Sequence, residues 1–282
     1  MSVDDEEHPE APPAGGGPIG VFDSGIGGLT VVAALRQLLP REHIFYLGDT
    51  ARVPYGGKSR RTIERYSVEI GGLLLAEHAK MIVVACNTAS ALALPRMKQV
   101  FKCPVLGVIA SGAAAACRGT RNQRIGVIGT RATIASRAYE HAIHEILPDA
   151  RVFAAACPLL VPLIEEGMFE DPITDSVLKR YLEPLVYEGI DTLVLGCTHY
   201  PLLREAISQS VGEAVALVDS AQNCATAVHE ALEQANLAAR PGTVGRLEVA
   251  LTDSTEGFLR LAEEALDLDI GDVRIRAVQA GE

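Results

Sequence analysis

The sequence predicts an α/β fold with two similar lobes, each a mostly parallel sheet flanked by helices, and an active site in the cleft between them. Short apolar runs typical of strands alternate with longer segments of helical periodicity along most of the 282 residues. The segments that begin at Ile19 and Ile125 share the pattern Ile-Gly-Val, and in each case a later apolar strand ends in a cysteine, 67 and 72 residues further on. These paired patterns indicate an internal duplication, so we expect one lobe from each copy.

The composition is that of a globular protein with a large core. Hydrophobic residues make up 48% of the chain and the net charge is −11, with five acidic residues and no basic one in the first seventeen positions. An acidic surface disfavours nucleic acid as the main partner, although backbone amides can still bind a small anion. No apolar run approaches the roughly 18 residues of a membrane span, and the N-terminus does not resemble a signal peptide. We therefore expect a cytoplasmic protein without a membrane or nucleic-acid partner.

The chain divides into a tail and two lobes. Residues 1–17 are acidic and rich in Pro and Gly, a composition that predicts disorder. We assign residues 18–113 and 223–282 to the first lobe and residues 114–222 to the second. The last segment is given to the first lobe because it contains no further strand that ends in a cysteine.

The first strand, Pro18–Phe22, runs into the glycine-rich segment Asp23–Gly28. A glycine-rich turn between a strand and a helix suggests dinucleotide binding, but Thr30 occupies the third glycine position of that fingerprint. We interpret the glycines instead as allowing close approach of the backbone. They would then hold Asp23 and Ser24 at the carboxyl end of the strand, where α/β sheets bind ligands.

The other elements follow the same alternation of apolar strands and amphipathic helices. In the first lobe they are predicted at Leu29–Leu39, His43–Gly48, Ser59–His78, Met81–Ala85, Pro104–Ile109 and Ser111–Cys117. In the second lobe they are predicted at Ile125–Gly129, Ile173–Val186, Thr192–Gly196, Pro201–Ser210, Ala214–Val218 and Ala221–Ala238. A strand at Leu247–Leu251 and a helix at Ser254–Leu266 complete the chain and are expected to return to the first lobe.

Two of the six cysteines occupy equivalent positions. Cys86 and Cys197 each follow a buried strand and precede small polar residues, and no CxxC pair is present, which predicts reduced thiols. A cysteine just before a helix lies in the field of the helix N-terminus, which favours the thiolate and lowers its pKa. Free amides at the same place can bind a carboxylate.

Paired acid/base groups suit one kind of reaction. Inversion at a carbon that carries a removable proton needs a base on one face and an acid on the other, and two thiols can exchange these roles when the reaction reverses. Three alternatives remain open from the residues alone. Cys86 and Cys197 could be packed in the core of a non-catalytic binding protein, they could bind zinc together with His199, or one could be the nucleophile of a Cys-His hydrolase.

Four segments together resemble the cofactor-independent glutamate racemases of the aspartate/glutamate racemase family. The similarity extends from about Ile19 to the C-terminus and is specific in its combination of motifs. These segments are Asp23–Gly28, Pro54–Gly56, Ala85–Ser90 and Gly196–Pro201. The resemblance implies interconversion of L- and D-glutamate, which supplies D-glutamate for peptidoglycan. It thereby implies a role in cell-wall synthesis and in the maintenance of cell shape. It also implies two lobes, no cofactor, no metal and a homodimer.

The resemblance assigns the catalytic residues. Cys86 and Cys197 are the two acid/base thiols, of which the first deprotonates D-glutamate and the second L-glutamate. Asp23 assists Cys86 and contacts the substrate ammonium, while His199 and Glu165 assist on the side of Cys197. Glu165 is followed by a second carboxylate, Glu166, and the sequence does not decide which of them reaches the site.

Further residues are implied to bind the substrate. The side-chain carboxylate is assigned to Ser24, Tyr55 and Gly56. The α-carboxylate is assigned to Asn87, Thr88 and Thr198, with Thr130 as a further candidate. Asp23 and His199 are also counted among the substrate-binding residues. Aspartate or a hydantoin is the alternative substrate, because the residues alone do not give the length of the substrate side chain.

Overall fold

Two parallel sheets form the centre of the computed structural model, which describes residues 16–253 and 266–278. The strands in these ranges are β1 (Ile19–Asp23), β2 (Ile44–Gly48), β3 (Met81–Val84), β4 (Val105–Gly107), β5 (Arg124–Gly129), β6 (Arg151–Ala156), β7 (Thr192–Gly196), β8 (Ala216–Asp219), β9 (Leu247–Leu251) and β10 (Val273–Ile275). One sheet has the order β10-β9-β2-β1-β3-β4 and the other β6-β5-β7-β8. The described strand pairs are parallel, so the predicted fold class is confirmed.

The two sheets repeat one topology. Strands β2-β1-β3-β4 of the first sheet correspond in order to β6-β5-β7-β8 of the second. Their central strands are buried along their whole length rather than alternating, as is usual for parallel strands covered on both faces. The same order in both sheets supports the internal duplication inferred from the sequence.

Helices cover both faces of each sheet. Their bounds are α1 (Leu29–Leu38), α2 (Arg60–Ala76), α3 (Asn87–Leu92), α4 (Leu94–Val100), α5 (Val108–Gly119), α6 (Arg131–Ala135), α7 (Ala138–Ile146), α8 (Leu160–Glu165), α9 (Pro172–Tyr187), α10 (Arg204–Val211) and α11 (Ser220–Gln234). Short 3-10 helices lie at Thr50–Arg52, Tyr55–Gly57 and Tyr200–Leu203. Helices α1, α11, α5 and α7 pack side by side in a continuous row that runs from the first sheet to the second.

The chain crosses between the sheets twice. It passes from β4 to β5 along α5 and returns from β8 to β9 along α11. The boundaries assigned from the sequence, at residues 113/114 and 222/223, fall inside these two helices and stay predictions. Strand β9 pairs with β2, so this part of the C-terminal segment lies in the first sheet.

Several elements differ from the sequence prediction. Helix α5 begins at Val108 rather than Ser111, because the apolar residues assigned to a long strand pack equally well on a buried helix face. Strands β6 and β10 and helices α4, α6, α7 and α8 were not predicted, and three of the six residues of β6 are alanines, which are depleted in strands. Helix α9 forms as predicted, but Ile173 at its start is 57% exposed, so the buried stripe begins later.

Two predictions fall outside the described part of the chain. The acidic tail was predicted over residues 1–17, of which 1–15 are not described, and the helix at Ser254–Leu266 lies outside the described residues except for its last position. Within the described ranges, no helix is both long enough and apolar enough to cross a membrane.

Candidate active site

One cavity lies where the carboxyl ends of the two sheets meet, and both candidate cysteines line it. Cys86 follows β3 and caps α3, while Cys197 follows β7. The cavity is small, with a volume of about 40 Å³. Its lining consists of Ser24, Val53, Pro54, Tyr55, Gly56, Cys86, Asn87, Thr88, Thr130, Val161, Cys197, Thr198 and His199.

The structure brings most of the predicted site residues together in this lining. Two predicted residues, Asp23 and Glu165, do not line the cavity themselves. Asp23 Oδ1 accepts a hydrogen bond from Thr198 Oγ1 at 3.4 Å, and Glu165 Oε1 accepts one from His199 Nε2 at 3.2 Å. Each therefore contacts a residue of the lining, and it is Glu165 rather than Glu166 that contacts His199.

The glycine-rich turn after β1 holds the two lobes in close contact. Asp23 is fully buried, and its Oδ2 accepts a hydrogen bond from Gly25 N at 3.1 Å. A Cβ atom added at Gly27 would lie 2.4 Å from His199 Nδ1 and 2.6 Å from Thr198 Oγ1. The glycine thus lets the first lobe touch the histidine of the second.

Gly27→Ala is expected to lower kcat/KM by roughly a hundred-fold, because the added methyl group must push His199 and Thr198 out of place, and small misplacements of reacting groups cost about that much. Gly57→Ala is the matched control, since a Cβ atom there meets no atom within 4 Å. Steady-state kinetics of both variants test the prediction. Equal activity of the two would show that the contact at Gly27 has no effect on the site.

The pKa of Cys86 differs from the expectation based on helix position. Burial, followed by the charge of Asp23, raises the pKa of the Cys86 thiol to about 12, although hydrogen bonds from Ser24 and from the amide of Ala89 act in the opposite direction. The Cys86 Sγ atom lies 3.5 Å from Ser24 Oγ. The expected lowering of this pKa is therefore wrong, because the six-residue helix α3 does not compensate for the burial of the thiol.

His199 connects Cys197 to Glu165. Its Nδ1 atom lies 3.9 Å from Cys197 Sγ, and its Nε2 atom donates to Glu165. Burial alone would lower the pKa of His199, but the hydrogen bonds to Cys197 and Glu165 outweigh it and raise the pKa to about 10. The imidazole therefore carries its proton at neutral pH, next to the sulfur of Cys197.

The opposite wall of the cavity carries hydroxyl and amide groups. Thr88 Oγ1 lies 2.9 Å from Thr130 Oγ1 and 3.3 Å from Thr133 Oγ1, so these three side chains form one cluster across the two lobes. Asn87 is 2% exposed, and its Nδ2 atom is buried without a hydrogen-bond partner among the described residues. Such donors can bind a carboxylate.

A network in the first lobe fixes the loop that contains Tyr55 and Gly56. The Tyr55 hydroxyl donates to the buried carboxylate of Asp49, which also pairs with Arg52 at 2.7 Å. A Cβ atom at Gly56 would lie 2.8 Å from Thr130 Cβ, so this loop closes directly onto the second lobe.

Several residues at or behind the lining were not predicted from the sequence. Thr133 could have been found from the sequence, because the Thr130-x-x-Thr133 spacing fits a helix N-cap, and the Thr130 side chain does accept from Thr133 N at 3.2 Å. Val53, Pro54 and Val161 carry no chemical signature that would distinguish them from core residues. No group of three or more His, Cys, Asp or Glu side chains in the described ranges is arranged to hold a metal ion, so the zinc alternative lacks a ligand set there.

Comparison with known proteins identifies the family. The model of the Asp/Glu/Hydantoin racemase family matches residues 21–228. The chain belongs to this family. It is 48% identical to a glutamate racemase of Geobacter metallireducens over 255 residues. The aligned region covers 90% of this chain and 94% of the Geobacter protein.

Solved structures of other family members have the same fold. A glutamate racemase of Thermus thermophilus in complex with β-chloro-D-alanine has a TM-score of 0.84 and 46% identity, covering 94% of this chain and 99% of that one. A glutamate racemase of Francisella tularensis in complex with D-glutamate has a TM-score of 0.87 and 36% identity, with the same coverage. An aspartate racemase of Picrophilus torridus, at 19% identity and a TM-score of 0.52, shares the fold over 77% of this racemase-family chain.

Proposed function

We propose that this chain interconverts L- and D-glutamate without a cofactor, by proton transfer between the substrate α-carbon and two cysteines. The observation that carries the proposal is that Cys86 and Cys197, one from each lobe, both line a single cavity. The names of its relatives in the family support glutamate as the substrate.

The two thiols act in opposite roles in each direction. For L-glutamate, the thiolate of Cys197 removes the α-proton from one face, and the thiol of Cys86 delivers its own proton to the other face. The thiolate is then on Cys86 and the thiol on Cys197, which is the arrangement that D-glutamate needs. The protonated His199 beside Cys197 stabilises negative charge on that sulfur before the proton transfer.

Asp23 suits the substrate ammonium. Its carboxylate is buried beside Cys86, and its charge raises the pKa of that thiol. A substrate ammonium placed next to Asp23 would offset this charge and favour the Cys86 thiolate. Substrate binding would therefore prepare Cys86 to act as a base for D-glutamate.

The polar lining supplies donors for two carboxylates. Asn87, Thr88, Thr130 and Thr198 supply amide and hydroxyl donors for the α-carboxylate. The turn of Ser24 and the loop of Tyr55 and Gly56 form the other part of the lining, where the side-chain carboxylate would bind. Aspartate is the alternative substrate, and it would have to span the same donors with one methylene fewer.

Circular dichroism of the amino acid tests the proposal directly. L-glutamate incubated with pure protein and a metal chelator, without added cofactor, is expected to lose its signal until the two enantiomers are equal. L-aspartate under the same conditions is expected to keep its signal. A stable glutamate signal would contradict the proposed function, and faster loss with aspartate would favour the alternative substrate.

The rate should depend on pH through His199. Because the pKa of His199 is raised above its ordinary value, the cation persists below about pH 10 and is lost above it. We expect kcat/KM to rise from acid pH, as the base thiol ionises, and to fall as the pH passes about 10. In the His199→Asn variant the activity should fall, and the pH at which kcat/KM declines on the alkaline side should change. A profile that is flat into alkaline solution would contradict this role.

Three further parts of the proposal rest on the family resemblance. We propose that the enzyme supplies D-glutamate for peptidoglycan, acts in the cytoplasm and assembles as a homodimer. Light scattering of the purified protein tests the last point, and a mass of one chain at catalytic concentration would contradict it.

A further inference from the structure

We infer that Tyr139, which does not line the cavity, is a positioning residue that fixes the amide of Asn87 with its NH2 group towards the substrate carboxylate. This inference rests on the proposed function. The Tyr139 hydroxyl donates to Asn87 Oδ1 at 2.6 Å, and the Tyr139 side chain comes from α7, in the opposite lobe from Asn87. Both residues are buried, at 3% and 2% exposure.

The direction of this hydrogen bond decides which end of the amide faces the cavity. An asparagine amide has a donor end and an acceptor end of nearly the same shape. Because Oδ1 is engaged by Tyr139, the NH2 group is the end left without a partner, and Asn87 lines the cavity. The opposite orientation would present a carbonyl oxygen to a carboxylate, which would repel it.

The surroundings of Tyr139 ensure that its hydroxyl acts as the donor. Burial raises its pKa, so the phenol keeps its proton throughout the working pH range. Ser220 acts in the opposite direction and lowers the pKa of Tyr139, but the effect of burial is larger. The phenol therefore has a proton to donate, and it donates it to Asn87.

Two glycines make the space that holds the tyrosine ring. A Cβ atom at Gly196 would lie 3.1 Å from Tyr139 Cε2, and one at Gly112 would lie 3.3 Å from the Tyr139 hydroxyl. Gly112 belongs to α5 and Ser220 begins α11, which are the two helices by which the chain crosses between the sheets. Tyr139 is therefore held at the crossing and reaches from there to a binding residue of the other lobe.

Tyr139→Phe removes the hydroxyl and keeps the ring. We expect the KM for L-glutamate to rise roughly ten-fold, the effect typical of a lost buried hydrogen bond, while kcat changes by less than about three-fold. The rise should disappear in an Asn87→Ala background, because Tyr139 then has no amide to orient. This double-mutant cycle separates positioning from a general loss of stability.

Two further variants complete the test. Tyr200→Phe is the matched control, since it removes a fully buried hydroxyl that donates to the Cys157 carbonyl outside the cavity lining, and its KM should stay unchanged. If Tyr139→Phe does not fold, Gly112→Ala, whose added Cβ atom would lie 3.3 Å from the Tyr139 hydroxyl, should still raise KM by about two- to three-fold, and only when Asn87 is present.

Each result has one meaning. An unchanged KM in Tyr139→Phe, or an equal rise with and without Asn87, would overturn the inference while leaving the racemase proposal intact. A wild-type protein that does not racemise glutamate would instead overturn the proposed function.

Discussion

Cys86→Ala is expected to lower kcat/KM by at least about a thousand-fold in both directions, because alanine neither accepts nor donates a proton and the proposed mechanism uses both thiols in each direction. Cys197→Ala should be equally damaging for the same reason. Racemisation of each enantiomer, followed by circular dichroism, measures both losses.

Cys103→Ala is the matched control for these substitutions. Cys103 is also buried, and burial raises its thiol pKa to about 11, but it lies in the core behind α4 and not in the cavity lining. Its removal should leave kcat within about two-fold of wild type. A Cys86→Ala enzyme with near wild-type rate would rule out the two-thiol mechanism, and a loss in only one of the two variants would show that the symmetry between the strands has no mechanistic meaning.

Nearly every molecule that inverts in deuterated water is expected to carry deuterium after its first turnover. The donating thiol exchanges with solvent before substrate binds, and the proton that it delivers is not the one removed on the opposite face. Molecules that have not inverted should remain largely protiated at early times. Mass spectrometry of the separated enantiomers at low conversion, started from either one, provides the measurement.

A single mobile base would give a different result. It could return the original proton to the other face and so produce protiated product of inverted configuration. Substantial protium in the inverted enantiomer would therefore exclude separate donors and acceptors, whatever the cysteine variants show.

The features that the sequence predicted well depend on local pattern. An apolar strand followed at once by a cysteine and small polar residues identified both Cys86 and Cys197, because the carboxyl ends of parallel strands gather at one edge. The glycines after Asp23 similarly indicated a close approach, although not that its partner would be His199.

The features that it missed depend on how the two lobes meet. No spacing along the chain relates Tyr139 to Asn87, which are 52 residues apart and belong to different lobes. The pKa of Cys86 was misjudged for the same reason, since its burial depends on residues from several elements rather than on its own helix. Strand β6 was not predicted because three of its six residues are alanines, which are depleted in strands.

The shared strand order of the two sheets has a consequence for how such an enzyme could arise. A chain of half this length that paired with its own copy about a twofold axis would place the same cysteine on both faces of a bound molecule. Such an ancestor would have to treat both sides of the substrate with identical groups. Fusion into one chain removes that constraint, and here Asp23 stands beside one thiol while His199 and Glu165 stand beside the other. Selection can then adjust KM and kcat for each enantiomer separately, although the equilibrium constant between the two enantiomers stays fixed at one.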